Sequence, residues 1–152
     1  MTVSSPAFKE GDRVPVKYTA DGDNVSPELS WSGAPSNTKC FAVICEDPDT
    51  PSGKIWTHWV LFNIPADKTS LPERAPTDKE LSDGSRQGKN DFGKIGFGGP
   101  DPPGGKPHRY FFNVYALDTK FDLSAGATRQ QVLDAMKGHI LAEGQLIGQY
   151  GR

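Results

Sequence analysis

Apolar residues gather along this chain in short runs separated by turn-forming residues, a pattern of strands and turns and not of a helical bundle. Val14 to Tyr18 alternates apolar with other residues and predicts a first strand. The segment TADGDNVSPELSW carries Asp-Gly, Asn and Ser-Pro turn chemistry before a short strand near Leu29 to Trp31, and SGAPSN forms the next turn. Cys40 to Glu46, Trp59 to Ile64 and Tyr110 to Leu117 are almost continuously apolar. Runs without a polar face suit central strands covered on both sides, as in a sandwich core with extra covering elements. The stretch from Ala66 to Lys94 is polar and lacks a persistent period, so it is expected as a long surface excursion.

One helix is expected. Thr128 followed by Gln131 has the spacing of a capping box, and Val132, Leu133, Met136, Ile140 and Leu141 recur on one helical face. The pattern predicts a helix over residues 128–143, closed by Gly144, with QLIGQYG as a last short strand. His139 falls at the margin of its apolar stripe.

A chain of 152 residues with 35% apolar content fits one domain spanning residues 1–152, large enough to bury a core without disulfides or metals. Its formal charge of -2 comes from interspersed acids and bases, which argues against nucleic acid or an anionic membrane surface as a partner. No apolar stretch approaches the roughly 18 residues of a membrane-spanning helix, and MTVSSPAFKEGDRV has no leader pattern, so a soluble cytoplasmic protein is expected. Cys40 and Cys45 share one strand, about 17 Å apart and on opposite faces, and are expected as reduced core thiols.

Two segments concentrate chemistry. DPDTPSGKIWTH, from Asp47 to His58, and GGPDPPGGKPHRY, from Gly98 to Tyr110, each end an irregular Pro/Gly-rich loop with a histidine at the start of an apolar strand. Setting those strands side by side would join His58, His108, Tyr110 and a carboxylate in one polar pocket. Residues two apart in a strand share a face, so Asp47 and Asp49 can point together, as can His108 and Tyr110, while Arg109 should face away toward a salt bridge. Three chemistries are open to such a set. The ligand types suit zinc or iron, but close paired spacing is lacking and no metal or cofactor is expected. Ser52, His58 and Asp47 contain the members of a nucleophilic triad, without a nucleophile elbow around Ser52. An anion pocket would use the imidazoles, the Tyr110 hydroxyl and backbone N–H groups of a nest at Gly98 and Gly99. Equally, Asp47 and Asp49 could cap turns and His108 fasten a loop.

With these residues in view, the sequence resembles the phosphatidylethanolamine-binding protein family, in its bacterial and archaeal branch related to Raf kinase inhibitor protein. The resemblance covers nearly the whole chain: YTADGDNVSPELSWSG, DPDTPSGKIWTHWVLFNIP, NDFG at Asn90 to Gly93, GFGGPDPPGGKPHRYFFNVYALD and the tail around AMKGHILAEGQLIGQY. It implies an all-β fold with minor α content, a Greek-key antiparallel β-sandwich with peripheral helices, and a small anion site at one end. Asp47 matches the first aspartate of the family's Asp-Pro-Asp motif, His58 its histidine before the apolar strand, and His108 and Tyr110 its His-Arg-Tyr motif. Pro100 stands where eukaryotic relatives place a backbone-contributing glycine, which shifts that role to Gly98 or Gly99. Asp49 and Pro100 are therefore secondary candidates. The implied activity is non-enzymatic: recognition or regulation through a phosphate-like anion or phosphorylated headgroup, as a monomer or homodimer. A protein-interface regulator of a serine protease or a kinase is the alternative, and a hydrolase acting on a phosphorylated or acyl substrate a third.

Overall fold

The computed structural model describes residues 1–152 as two antiparallel sheets packed face to face, with one helix outside. The strands are β1 (Thr2–Ser4), β2 (Leu29–Ser32), β3 (Cys40–Asp47), β4 (Trp56–Pro65), β5 (Ser70–Leu71), β6 (Arg86–Gln87), β7 (His108–Leu117) and β8 (Ile140–Tyr150). Helix α1 spans Arg129–Met136. The smaller sheet runs β1-β2-β5 and the larger β6-β4-β3-β7-β8. After β4 the chain leaves on its long excursion and returns as β7 on the far side of β3, the Greek-key connection.

Strand β3 is buried at all eight positions because both faces of the large sheet are covered there. Phe41, Val43 and Cys45 point into the core between the sheets with Trp31, Trp59, Leu61, Phe112 and Val114. Cys40, Ala42 and Ile44 face the other way, against Val60, Phe62, Phe121, Val132 and Met136 beneath α1. The two thiols are therefore on opposite faces, both free and both buried.

The excursion after β4 is tied down more firmly than its polarity suggests. Gln87 is fully buried and accepts from Trp59 Nε1 at 2.8 Å while donating to the carbonyls of Pro76 and Asp78. A bulge in β4 does similar work. Asn63, at φ 56°, marks a register slip opposite Phe41 and Val43, and its amide bonds both the N–H and C=O of Phe121.

Two expected elements differ. Val14 to Tyr18 is not a strand: Val16–Tyr18 is a 3-10 turn, in which Tyr18 N–H reaches Pro15 O and Thr19 N–H reaches Val16 O. Pro15 has no N–H to give a ladder, and the local turn satisfies its neighbours instead. The helix expected over 128–143 starts as foreseen, with both bonds of the Thr128–Gln131 capping box present, but stops at Met136. Gly138 turns the chain at φ 81°, and Ile140 to Tyr150 becomes the longest strand, paired along the whole of β7. The open ladder of β7 outweighs helical periodicity in that segment, and Ile140 and Leu141 leave the helix face to which their spacing assigned them. His139 lies in the turn between, paired with Asp118 at 2.8 Å.

Burial pushes the Cys40 thiol up to about 11 and holds Cys45 well above its ordinary 9.0. Neither is a thiolate near neutrality. Iodoacetamide at about pH 8 is expected to leave both cysteines of the native protein unmodified and to alkylate both in denaturant. Rapid labelling of the native protein, followed by mass spectrometry, would contradict this packing.

Candidate functional site

Strands β4, β3 and β7 are neighbours, so the start of β4, the end of β3 and the start of β7 meet at one end of the sandwich. These ends carry His58, Asp47, and His108 with Tyr110. A second bulge aims His58. Cys45 pairs Trp59 and Glu46 pairs Thr57, which leaves His58 as the extra residue of β4. Bulges of this kind re-aim a side chain beside a functional site.

Asp47, His58, His108 and Tyr110 line one cavity of about 490 Å³. Its remaining wall comes from Thr50, Pro51 and Ser52, from Trp56 and Phe92, and from Asp101 to Pro103. His58 Nδ1 lies 2.6 Å from the carbonyl of Gly98, and the Gly98 N–H returns a bond of 2.9 Å to His58 O. His108 Nδ1 lies 2.7 Å from Asp47 Oδ2, and the other Asp47 oxygen accepts from Asp49 N–H. Carbonyl and carboxylate oxygens can only accept, so each imidazole carries its proton on Nδ1 when neutral. Neither Nε2 has a partner within the protein, and neither is sealed from solvent.

Tyr110 lies between the two rings, edge-on to His58 at 5.2 Å and roughly parallel to His108 at 6.5 Å. Its ring is 0% exposed and its hydroxyl has no hydrogen-bond partner. An unpaired buried hydroxyl costs about 1–3 kcal/mol, a sizeable part of a domain's stability. Burial, reinforced by the Asp47 charge, pushes its pKa up, so it stays a donor. Burial pushes His58 below its ordinary 6.5, against the Gly98 carbonyl bond and the Asp47 charge, which favour the proton.

Other candidates have different places. Asp49 does not point with Asp47 into the cavity; both its oxygens hold Arg109, each at 2.9 Å, and the ion pair holds its pKa low. Gly98 and Gly99 do not offer a nest: the first N–H is bonded to His58 O and the second to Asn24 Oδ1 at 2.7 Å. Both are glycine for reasons of space. A Cβ on Gly98 would meet the Phe92 ring at 2.6 Å, and one on Gly99 would meet Tyr18 O at 2.4 Å. Pro100 is buried, and its carbonyl accepts from Ala20 N–H. No group of three His, Cys, Asp or Glu side chains is placed to hold a metal ion. Ser52 lines the cavity, but its hydroxyl is engaged with Thr50 and the Lys54 N–H.

On the aromatic side of the mouth, Trp56 is one of three tryptophans that the sequence offers for an apolar groove or for rim packing, while Phe92 carries no such signal by itself. Trp56 is 39% exposed and packs edge-on to Phe92, which in turn packs edge-on to His58. Asn90 presents Phe92 by accepting from its N–H and that of Lys94, an Asx-type turn whose signal is the Asn-Asp-Phe-Gly sequence itself. Opposite, Arg152 clasps Asp21 and Asp101 at 2.7 Å each and bonds Pro102 O, holding the proline wall.

Comparison with known proteins shows what the whole sequence and the fold are similar to. The family model for phosphatidylethanolamine-binding protein matches residues 4–151. A UPF0098 protein of Methanothermobacter thermautotrophicus is 55% identical over 152 residues, covering 100% of this chain and 99% of that one. Among solved structures, YbcL of Escherichia coli, described as a new member of the mammalian family, has a TM-score of 0.91 at 38% identity, covering 99% of this chain and 98% of its own. A phosphatidylethanolamine-binding protein homologue of Chlamydia trachomatis has a TM-score of 0.90 at 37% identity, covering 99% and 97%.

The lowered pKa of His58 has a definite sign. Below its unfolded value of 6.5 the unfolded chain binds the proton more readily, so this contribution to stability is complete above about pH 6.5 and is lost as pH falls toward the folded value. Nitrogen-15 NMR of the imidazoles should find His58 protonated on Nδ1 at neutrality, with a midpoint below 6.5. A midpoint at or above that value would contradict the burial.

Proposed function

The chain belongs to the phosphatidylethanolamine-binding protein family, and from that premise we propose that its cavity binds a phosphate-like anion, free or as a phosphorylated headgroup, for recognition or regulation and without turnover. The observation that carries this reading is the Tyr110 hydroxyl, buried and unpaired on a residue that lines the cavity with an imidazole on either side. A donor kept free at an energetic cost suits an acceptor supplied from outside, and a phosphoryl oxygen is a strong one. Both rings are fastened through Nδ1 by the backbone of Gly98 and the carboxylate of Asp47, so the cavity is organised before a ligand arrives. The committed Ser52 hydroxyl, with no bond to either imidazole, favours binding over nucleophilic catalysis.

Titration of the labelled protein with inorganic phosphate and phosphoethanolamine should give saturable NMR shifts centred on residues 47–58 and 98–110. The variants His58→Ala and His108→Ala should abolish them. Tyr110→Phe removes the hydroxyl and keeps the ring in the core, so it should weaken phosphate about ten- to hundredfold while leaving unfolding stability unchanged or higher. Wild-type affinity in Tyr110→Phe, or no shift at millimolar ligand, would sink the reading.

A further inference from the structure

The charge of the cavity is at odds with a dianion. Two carboxylates, Asp47 and Asp101, line it, and no lysine or arginine does. Asp91, which accepts from Thr57 N–H at 2.6 Å beside His58, adds a third acid close by. The cations of the neighbouring segments are committed or set apart. Arg109 is spent on Asp49, Arg152 on Asp21 and Asp101, and neither Lys54 nor Lys106 lines the cavity. His108 gives no net positive charge either, because its proton would be matched by the Asp47 carboxylate 2.7 Å away.

The polar atoms left for a ligand are correspondingly mixed. Tyr110 offers one O–H donor, and both imidazoles present a free Nε2: that of His108, held through Nδ1 by Asp47, and that of neutral His58, fastened to the Gly98 carbonyl through Nδ1–H, which is a lone pair. A fully ionised oxyanion brings acceptors only and would face that lone pair unpaired. From this donor and acceptor set, and resting on the anion reading above, we infer that the cavity selects oxyanions that carry their own proton, namely the monoanions of phosphate and phosphomonoesters. The P–OH donates to His58 Nε2 while another phosphoryl oxygen accepts from Tyr110. Phosphodiesters and sulfate, which have no proton to give near neutrality, are excluded. The ligand class is thereby a phosphomonoester and not an intact phospholipid headgroup, which is a diester.

A pH profile alone does not separate this arrangement from an imidazolium holding a dianion, because the two complexes contain the same number of protons. Sulfate does: it accepts from an imidazolium as well as phosphate does, yet cannot donate to a neutral ring. The test is NMR titration of the intact wild-type protein at about pH 6 and about pH 8 with inorganic phosphate, phosphoethanolamine, sulfate and glycerophosphoethanolamine. Phosphate and phosphoethanolamine are expected to bind, each weakening toward tenfold per pH unit above its own second ionisation, about 6 for the ester and roughly one unit higher for inorganic phosphate. Sulfate and the diester are expected to bind at least about tenfold more weakly than phosphate at the lower pH, the cost of leaving a buried acceptor unpaired. Sulfate within about twofold of phosphate would overturn the inference by placing the proton on the protein, and leave the anion site standing. Binding of the diester as tightly as the monoester would overturn it too, assigning recognition to the organic part of the headgroup. No saturable shift with any of the four would remove the anion site itself and the inference with it.

Discussion

The constraint on which this structure depends is the position of β3, paired on both edges and covered on both faces. A strand so placed is bonded along both edges, interrupted on the β4 side only at the two bulges, and has every side chain buried, so it cannot slip in register without turning each one to the wrong core. Its last residue is Asp47. The carboxylate that orients His108 is thus mounted on the least movable element of the fold, with His58 and Tyr110 on its two neighbours. Geometry of this precision at a loop-rich end of a sandwich comes from the strands, while the loops supply walls.

Much of this was legible in the sequence, for a physical reason. Continuous apolar runs announce strands buried on both faces, and β3 and most of β4 are of that kind, whereas β7 is buried on one face and only half-buried on the other, at Phe111, Asn113 and Tyr115. The opposite facing of Cys40 and Cys45 follows from the two-residue period alone. What was not legible depends on partners distant in sequence. The periodicity of Met136, Ile140 and Leu141 is compatible with a helix; only the free edge of β7 makes β8 a strand. Val14 to Tyr18 alternates as a strand would, yet Pro15 and the 3-10 turn govern it.

At the site, residue types pointed to one end of the sandwich, and the spacing of two residues placed Arg109 on the far side from Tyr110. The same rule misplaced Asp49, because proline and the Asx turn from Asp47 end the extended geometry there. Gly98 and Gly99 show a different ambiguity. Glycine marks either a backbone donor or a place too crowded for a Cβ, and the sequence does not distinguish them; the contacts with Phe92, Tyr18 and Asn24 assign both to crowding. The bulge at His58 and the aromatic side of the mouth are likewise properties of register and packing.

The fastening of the first and last segments bears on how the molecule is made. Gly11 and Val14 donate to the carbonyls of Ile147 and Gln149, and Arg152 ties Asp21 to the Asp101–Pro102 wall. During synthesis, β3 and β4 can pair as soon as both emerge, whereas β7 keeps an open edge and the proline wall has no clasp until β8 and Arg152 follow. Closing contacts of such long sequence separation forms slowly and leaves an apolar edge uncovered meanwhile. The cavity therefore stays incomplete until β8 has docked on β7, and a nascent chain from which β8 has not yet emerged would hold the two histidines with their proline wall unclasped.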